Sequence, residues 1–594
     1  MSTDGADGHS VRGEKGAIEN VMIRKRKALF LQMCGAVLAL ILIACSEAPR
    51  QTSKGPAATP AAEKAAWDRI NQGRLLARIK VLSSDEFEGR APASEGETRT
   101  VSFIEKEFKD SGLKPGNPDG TYIQKVPLIG ITADPNMQLT LTDAITKKRR
   151  TLNYGSDFMA WTKREVPMVS MNSDLIFVGY GVVAPEFQWD DYKGVDVSGK
   201  VLMMLVNDPP VPDESIFGGK AMTYYGRWTY KFEIAAQKGA AGCLIIHETG
   251  PAGYPWAVVE GSNRGEQFDV LHKDKGMSRA AVEAWITFDQ AQALFATAGK
   301  DLLAMKKAAV ERTFTPVPLG VNASLTIRNK MRTIESNNVI GKLDGGDPKL
   351  RDEYLVYMAH WDHLGVDEGL NGDKIYNGAK DNASGIAALL ELADAYTKVQ
   401  PPPRRSILFL AVTAEEQGLL GSQYYAEHPL HPLEKTAAAI NMDALNVLGR
   451  TKDIVVIGLG NSSLDDYVKQ VAAAQGRVVK TDQEPEKGFY YRSDHFNFAK
   501  QGVPALDPDE GTEFVGKPES WGIEMRKKYT EEDYHKPCDE VKPYWDLGGM
   551  VEDLQLLFSV GYRVANAEQF PTWIPGTEFK AKRDAMLKAA QMHK

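Results

Sequence analysis

Four rhythms of apolar and polar positions divide the chain. From Ala65 to Asp110 the spacing is helical. One helix is predicted over Ala65–Val81 and a second over Glu95–Ser111, where Val101, Ile104 and Phe108 recur on one face and Gly112 supplies a stop. From Tyr122 to Thr151 apolar and polar residues alternate as they do in strands. Near Val166 the pattern shifts to short apolar runs, Leu175–Tyr180, Lys200–Val206 and Gly242–His247, with a helical stretch at Phe232–Lys238. From Glu335 strands and helices take turns: β-rich runs at Val339–Leu343, Tyr354–Met358, Ser406–Val412 and Ala437–Met442, helices at Gly385–Tyr396, Asp465–Gln475 and, closing the fold, Met550–Ala565. Such alternation predicts an α/β fold, a mostly parallel mixed sheet flanked by helices, with an inserted β-rich domain.

The residues that carry chemistry fall where the predicted strands end. His360 follows Tyr354–Met358, Glu415 and Glu416 follow Ser406–Val412, and Asp443 closes Ala437–Met442. Open α/β sheets bind ligands beyond the carboxyl ends of their strands, so these residues should converge in one crevice. Asp381 precedes the helix starting near Gly385, where an acid could equally be a cap. Asp362, two residues after His360, is placed to accept the other imidazole N–H. No G-x-S-x-G elbow lies at a strand-to-helix turn, which argues against a serine hydrolase.

Taken together, "AHWDH", "KDNASG", "TAEEQGLLGS", "NMD", "SDHFNF" and "YHKPCDE" resemble the M twenty-eight family of metallopeptidases, which includes bacterial two-zinc aminopeptidases and glutamate carboxypeptidase II. The resemblance covers about residues 65–150 and 335–565. It implies two zinc ions per chain bridged by Asp381, with His360 and Asp443 completing one site and Glu416 and His535 the other. It also implies Glu415 as general base, taking a proton from an activated water and passing it to the leaving amine. His495 competes with His535 as the last ligand, and the family pattern favours His535. Ser493, Asp494 and His495 would then lie behind the ligands or on the substrate side. Tyr490 matches a tyrosine that hydrogen-bonds the oxyanion in some relatives, a role open also to Tyr491 and Tyr534. The ligand chemistry fits: mixed imidazole and carboxylate donors suit zinc, and two metals about 3.5–4 Å apart can share one water. A second segment, "GYG…YKGVDVSGKVLMML…KGAAGCLIIHE", resembles the non-catalytic protease-associated domain over residues 166–315.

Peptide substrates and a metal-dependent exopeptidase activity, most simply an aminopeptidase, follow from the resemblance. Carboxypeptidases share the architecture, and Arg492 and Lys380 near the motifs leave that alternative open. A receptor-like, non-catalytic ectodomain would lack ligands, and none is missing. His363 has no assigned role, and His428 and His431 read as surface residues of a proline-rich loop.

Composition adds the compartment. The 594 residues are 43% hydrophobic and 25% charged, with net charge -8, and Lys and Arg form no stripe outside the N-terminus, which argues against nucleic acid as a partner. At the N-terminus Arg24–Lys27 is basic, Ala28–Ala44 is apolar, and Leu42-Ile43-Ala44-Cys45 precedes a polar, proline-containing stretch. This resembles a bacterial lipoprotein signal, with Cys45 carrying the lipid, the enzyme exported and anchored at the cell envelope, and Met22 a second possible start. Cys243 and Cys538 are far apart and predict no disulfide framework. The expected organisation is a signal at 1–45, a tether at 46–64, an N-terminal peptidase part at 65–165, the inserted domain at 166–315, the catalytic domain at 335–570 and a tail at 571–594. Oligomeric state is not legible.

Overall fold

The computed structural model describes residues 60–213 and 215–592. The signal segment, Cys45 and most of the tether lie outside the described residues. Two helices, α1 (Pro60–Trp67) and α2 (Gln72–Leu82), stand where one was expected over Ala65–Val81. Asn71 makes the break: its side chain accepts from the Arg74 N–H and caps α2. Helix α3 (Glu95–Ser111) has the predicted bounds, with Ser94 as its cap and Gly112 ending it at φ 91°. Strand β1 (Ile123–Ala133) follows.

The chain next lays down β2 (Gln138–Asp143), β3 (Arg149–Asn153), β4 (Phe158–Trp161), β5 (Met168–Phe177), β6 (Val201–Leu205), α4 (Trp228–Gln237), β7 (Gly242–His247), β8 (Glu266–Val270), β9 (Val282–Thr287) and the long β10 (Val317–Leu343). One sheet takes most of these in the order β4-β9-β7-β6-β5-β10-β2-β3. This register moves the expected boundaries at 165/166 and 315. Strands β2 to β4 belong to the inserted domain because β2 pairs with β10, β3 with β2 and β4 with β9, and β10 stays in that sheet as far as Arg328, paired with Met168. From Asn329 the same strand pairs with β1 in the catalytic sheet, and β8 adds to the other edge of β1.

The catalytic half continues with β11 (Tyr354–His360), α5 (Ser384–Lys398), β12 (Ser406–Val412), β13 (Thr436–Asn441), β14 (Asp453–Ile457), β15 (Val478–Thr481), β16 (Ala505–Asp509), α6 (Trp521–Glu532), α7 (Gly548–Asn566) and α8 (Lys580–Met592). Its sheet runs β8-β1-β10-β12-β11-β13-β16-β14-β15, with β12, β11, β13 and β16 mutually parallel, β10 antiparallel to both its neighbours, and β14 antiparallel to β16 but parallel to β15. The apolar run of β12 is explained by cover on both faces: Ile407, Phe409 and Ala411 join the core beneath α5 and α7, while Leu408, Leu410 and Val412 join a second core. Helix α7 is not the last element. Helix α8 occupies the expected tail, fixed by Arg583, which donates to the Leu433 and Thr436 carbonyls at 3.0 and 2.8 Å.

Candidate metal centre

Because β11, β12 and β13 are parallel neighbours, their carboxyl ends open side by side. His360 is the last residue of β11 and is buried. Its Nε2 lies 3.3 Å from Asp381 Oδ1 and 3.2 Å from Asp443 Oδ1. The other oxygen of Asp381 lies 3.3 Å from His535 Nε2, and His535 Nε2 is 3.0 Å from Glu416 Oε2. One carboxylate thus stands between two groups of donors. Asp381 is no helix cap: Asn382 Oδ1 accepts the Gly385 N–H at 2.8 Å and leaves the Asp381 carboxylate free to face the crevice. Glu415 has its Oε2 4.0 Å from His360 Nε2.

Several buried groups hold this arrangement. Asp539 accepts the backbone N–H groups of Lys380 at 3.1 Å and Asp381 at 3.0 Å. Arg90 donates to the carbonyls of Leu82, Trp361, Asn377 and Gly378, pinning the segments that carry His360 and Asp381. Ser493 donates to Asp443 Oδ2 at 2.7 Å. Asp494 accepts from Ser422 Oγ at 2.6 Å.

Four expectations need correction. Asp362 does not accept the His360 N–H through its carboxylate. His360 Nδ1 is 3.1 Å from the Asp362 backbone oxygen and 3.8 Å from the carboxylate, which instead accepts the backbone N–H groups of Glu415 and Glu416 at 3.0 and 3.3 Å. A cavity of about 540 Å³ opens on Glu415, Glu416 and His535; Tyr490 is buried against His495 and Phe579 away from it, whereas Tyr534 lines it and stacks on His535 at 3.8 Å. His363 has a place: it is fully buried, with Nδ1 2.5 Å from Glu416 Oε1. His431 is buried, not superficial, its Nε2 2.9 Å from the Gly116 carbonyl oxygen and its ring 4.4 Å from that of Tyr354; His428 is exposed. Of the competing ligands, His535 reaches Asp381 and Glu416. His495 is buried elsewhere, 3.5 Å from Asp507, and neither ring nitrogen has a hydrogen-bond partner among the described residues. Lys380 is held by Glu510 at 3.2 Å.

Electrostatics point to cations. Four carboxylates, Asp381, Glu415, Glu416 and Asp443, crowd one crevice, while the buried arginine beside them is occupied with carbonyls. Burial, and then the neighbouring acids, push Glu415 well above the usual carboxylate range. Burial opposes the charge of Asp381 too, but the contacts from His360 and His535 overcome it and hold that carboxyl well below the range. Two groups of donors could each hold a metal ion, His360 with Asp381 and Asp443, and His363 with Asp381 and Glu416. Imidazole and carboxylate donors without thiols, with acid in excess over base, fit zinc.

An open α/β sheet with imidazoles and carboxylates gathered at its strand ends defines the class: a hydrolase of the metal-dependent kind. The chain matches the model of "Peptidase family M28" over residues 338–558, which hold the candidate ligands. It is 28% identical over 208 residues to leupeptin-inactivating enzyme 1 of Streptomyces exfoliatus, covering 34% of this chain and 43% of that protein. It is 25% identical over 454 residues to a probable leucine aminopeptidase 2 of Aspergillus oryzae, covering 74% of this chain and 73% of that one. Among solved structures, an aminopeptidase from Aneurinibacillus sp. strain AM-1 matches with TM-score 0.48 and 20% identity over 86% of this chain and 97% of that chain. The chain thus spans less than half the length of the first of these relatives.

Proposed function

We propose that the protein is an aminopeptidase that removes N-terminal residues from peptides, using two zinc ions per chain and Glu415 as general base. The observation that carries this is the Asp381 carboxylate, which offers one oxygen to each donor group. His360, Asp381 and Asp443 would hold one ion. Asp381, Glu416 and His535 would hold the other, with His363 bonded to Glu416 from behind. When bound, such ions lower the pKa of water and polarise a carbonyl. Glu415 takes the proton from water and delivers it to the leaving amine. The backbone bonds to Asp362 fix Glu415 for that task, and the Tyr534 phenol is placed to donate to the carbonyl oxygen as it gains charge. The relative from Aspergillus oryzae carries the name probable leucine aminopeptidase 2.

The test offers free and N-acetylated aminoacyl anilides, with and without a chelator, and counts metal by mass spectrometry. Hydrolysis of the free substrates alone, lost with chelator and restored by zinc, with two ions per chain falling to one in His535→Ala, is the expected result. Cleavage of N-acetylated peptides from the carboxyl end would overturn the aminopeptidase assignment. We further propose that Cys45 carries a lipid that anchors the enzyme at the bacterial envelope. Palmitate labelling of the wild type but not of Cys45→Ser is expected, and equal labelling of both would refute it.

A further inference from the structure

The inserted domain carries a surface feature that has no part in the metal centre. Its sheet ends at the edge strand β3, and the turn from β2 into β3 lies beyond the last paired residues, Thr142 and Arg149. Asp143 shapes that turn by accepting the Ile145 and Thr146 N–H groups at 2.9 and 2.6 Å. Ile145 is 89% exposed, more than any other large apolar side chain among the described residues. Lys147, Lys148, Arg149 and Arg150 follow it, all exposed. No cationic stripe was expected outside the N-terminus, and this run is one. None of the four pairs with a carboxylate among the described residues, and Arg150 donates to Gln290.

The run divides into two parts. Charged side chains on an open edge strand discourage another strand from pairing with it, which accounts for Arg149 and Arg150 in β3. Lys147 and Lys148 lie outside the ladder, where there is no edge to guard. The hydrogen bonds of the turn need Asp143, and they do not call for an isoleucine. The protein carries a net charge of -8, so four unpaired cations stand together against the general sign of the molecule. An aliphatic tip beside cations matches a surface that is anionic outside and apolar just beneath. A nucleic acid offers the phosphates but no apolar layer for Ile145. We infer that the β2–β3 turn docks on anionic phospholipid, with its cations on headgroup phosphates and Ile145 entering the acyl-chain boundary. This contact stands apart from both the peptidase reading and the lipid proposed at Cys45, and it sets the inserted domain against the bilayer.

Arg24–Lys27 and the apolar run Ala28–Ala44 can hold the full chain on a bilayer by themselves, so the readout must be local. Hydrogen exchange of residues 144–149 is followed in the full chain on phosphatidylglycerol vesicles and on phosphatidylcholine vesicles. The expected result is slower exchange on phosphatidylglycerol alone, reversed as salt rises from about 0.05 to about 0.5 M, because cations on exposed phosphates are screened. Each cation at such a surface contributes about five-fold, so Lys147→Gln combined with Lys148→Gln should cut the protection about 25-fold. Ile145→Asn should weaken it while leaving its salt dependence unchanged. All three side chains are exposed, and the variants should melt with the wild type. Equal exchange on the two kinds of vesicle overturns the inference without any variant. Protection that persists in the double lysine variant overturns it too, and so does protection by double-stranded DNA in place of phosphatidylglycerol, which would make the turn a nucleic-acid contact.

Discussion

Asp539→Asn tests how the bridging carboxylate is held. Asp539 is buried, and its two oxygens accept the N–H groups of Lys380 and Asp381 at 3.1 and 3.0 Å. An amide keeps the shape but offers one acceptor, so its NH2 must face a backbone N–H. The change removes one hydrogen bond to a charged group, worth about 1.5–3 kcal/mol, and leaves a buried donor unpaired at a cost of about 1–3 kcal/mol. These overlap because they describe one contact, so a loss of about 2–4 kcal/mol of folding stability is expected, read by urea unfolding of the metal-free protein. The segment should shift, taking Asp381 from its position between His360 and His535, and zinc affinity should fall about 10- to 100-fold in chelator competition. A variant within about 0.5 kcal/mol of wild type and with unchanged zinc affinity would refute the reasoning and assign the segment's order to Arg90 alone.

Three further outcomes follow from packing and protonation. Gly561 of α7 faces Tyr357, whose hydroxyl would lie 1.9 Å from an added Cβ, so Gly561→Ala should destabilise by more than about 1 kcal/mol although alanine favours helices; a gain in melting temperature would contradict this. Phe409 is fully buried in β12, and Phe409→Ala should cost about 3–5 kcal/mol in denaturant unfolding, with a loss under about 1 kcal/mol excluding it from the core. Burial lowers the pKa of His431, so its contribution to stability is present above the ordinary histidine value of about 6.5 and lost as pH falls through the lowered one. Unfolding free energies measured from pH 7 to 5 should therefore fall less steeply in His431→Asn than in the wild type, and parallel slopes would show that His431 takes up no extra proton on unfolding.

The apolar runs mark strand ends, and strand ends mark the crevice, so His360, Glu415, Glu416 and Asp443 are legible as a set from hydrophobic pattern alone. What escapes the pattern is direction and partnership. The alternation over 122–151 says strand but does not say which sheet, and the pairing of β2 with β10 and of β3 with β2 assigns both to the inserted domain. Asp362 lies in irregular backbone, where no period tells where a carboxylate points; it turns to the Glu415–Glu416 backbone instead of the imidazole. His363 is adjacent to it and shares that difficulty. Tyr490, Tyr491 and Tyr534 are alike as sequence, and packing separates them: Tyr490 is buried away from the cavity, Tyr491 is buried at its wall with its hydroxyl donated to Glu578 at 2.8 Å, and Tyr534 lines it beside His535. Arg90 and Asp539 carry no motif, and their importance lies in backbone groups far away in sequence.

The inserted domain is joined to the peptidase by hydrogen-bonded strands. Strand β10 leaves one sheet and enters the other without a break, so a rotation of the inserted domain would bend a continuous strand. Strand β8 returns from the inserted segment to pair with β1 over Glu266–Val270. Side chains add to this: Tyr224 sits 5.2 Å from the ring of Phe496, and Glu233 of α4 pairs with Lys500 at 2.5 Å. Helix α4 is therefore held in place beside a crevice whose residues lie far from it in sequence. A wall so anchored keeps its place beside the crevice, because moving it away would require breaking sheet hydrogen bonds, not opening a hinge.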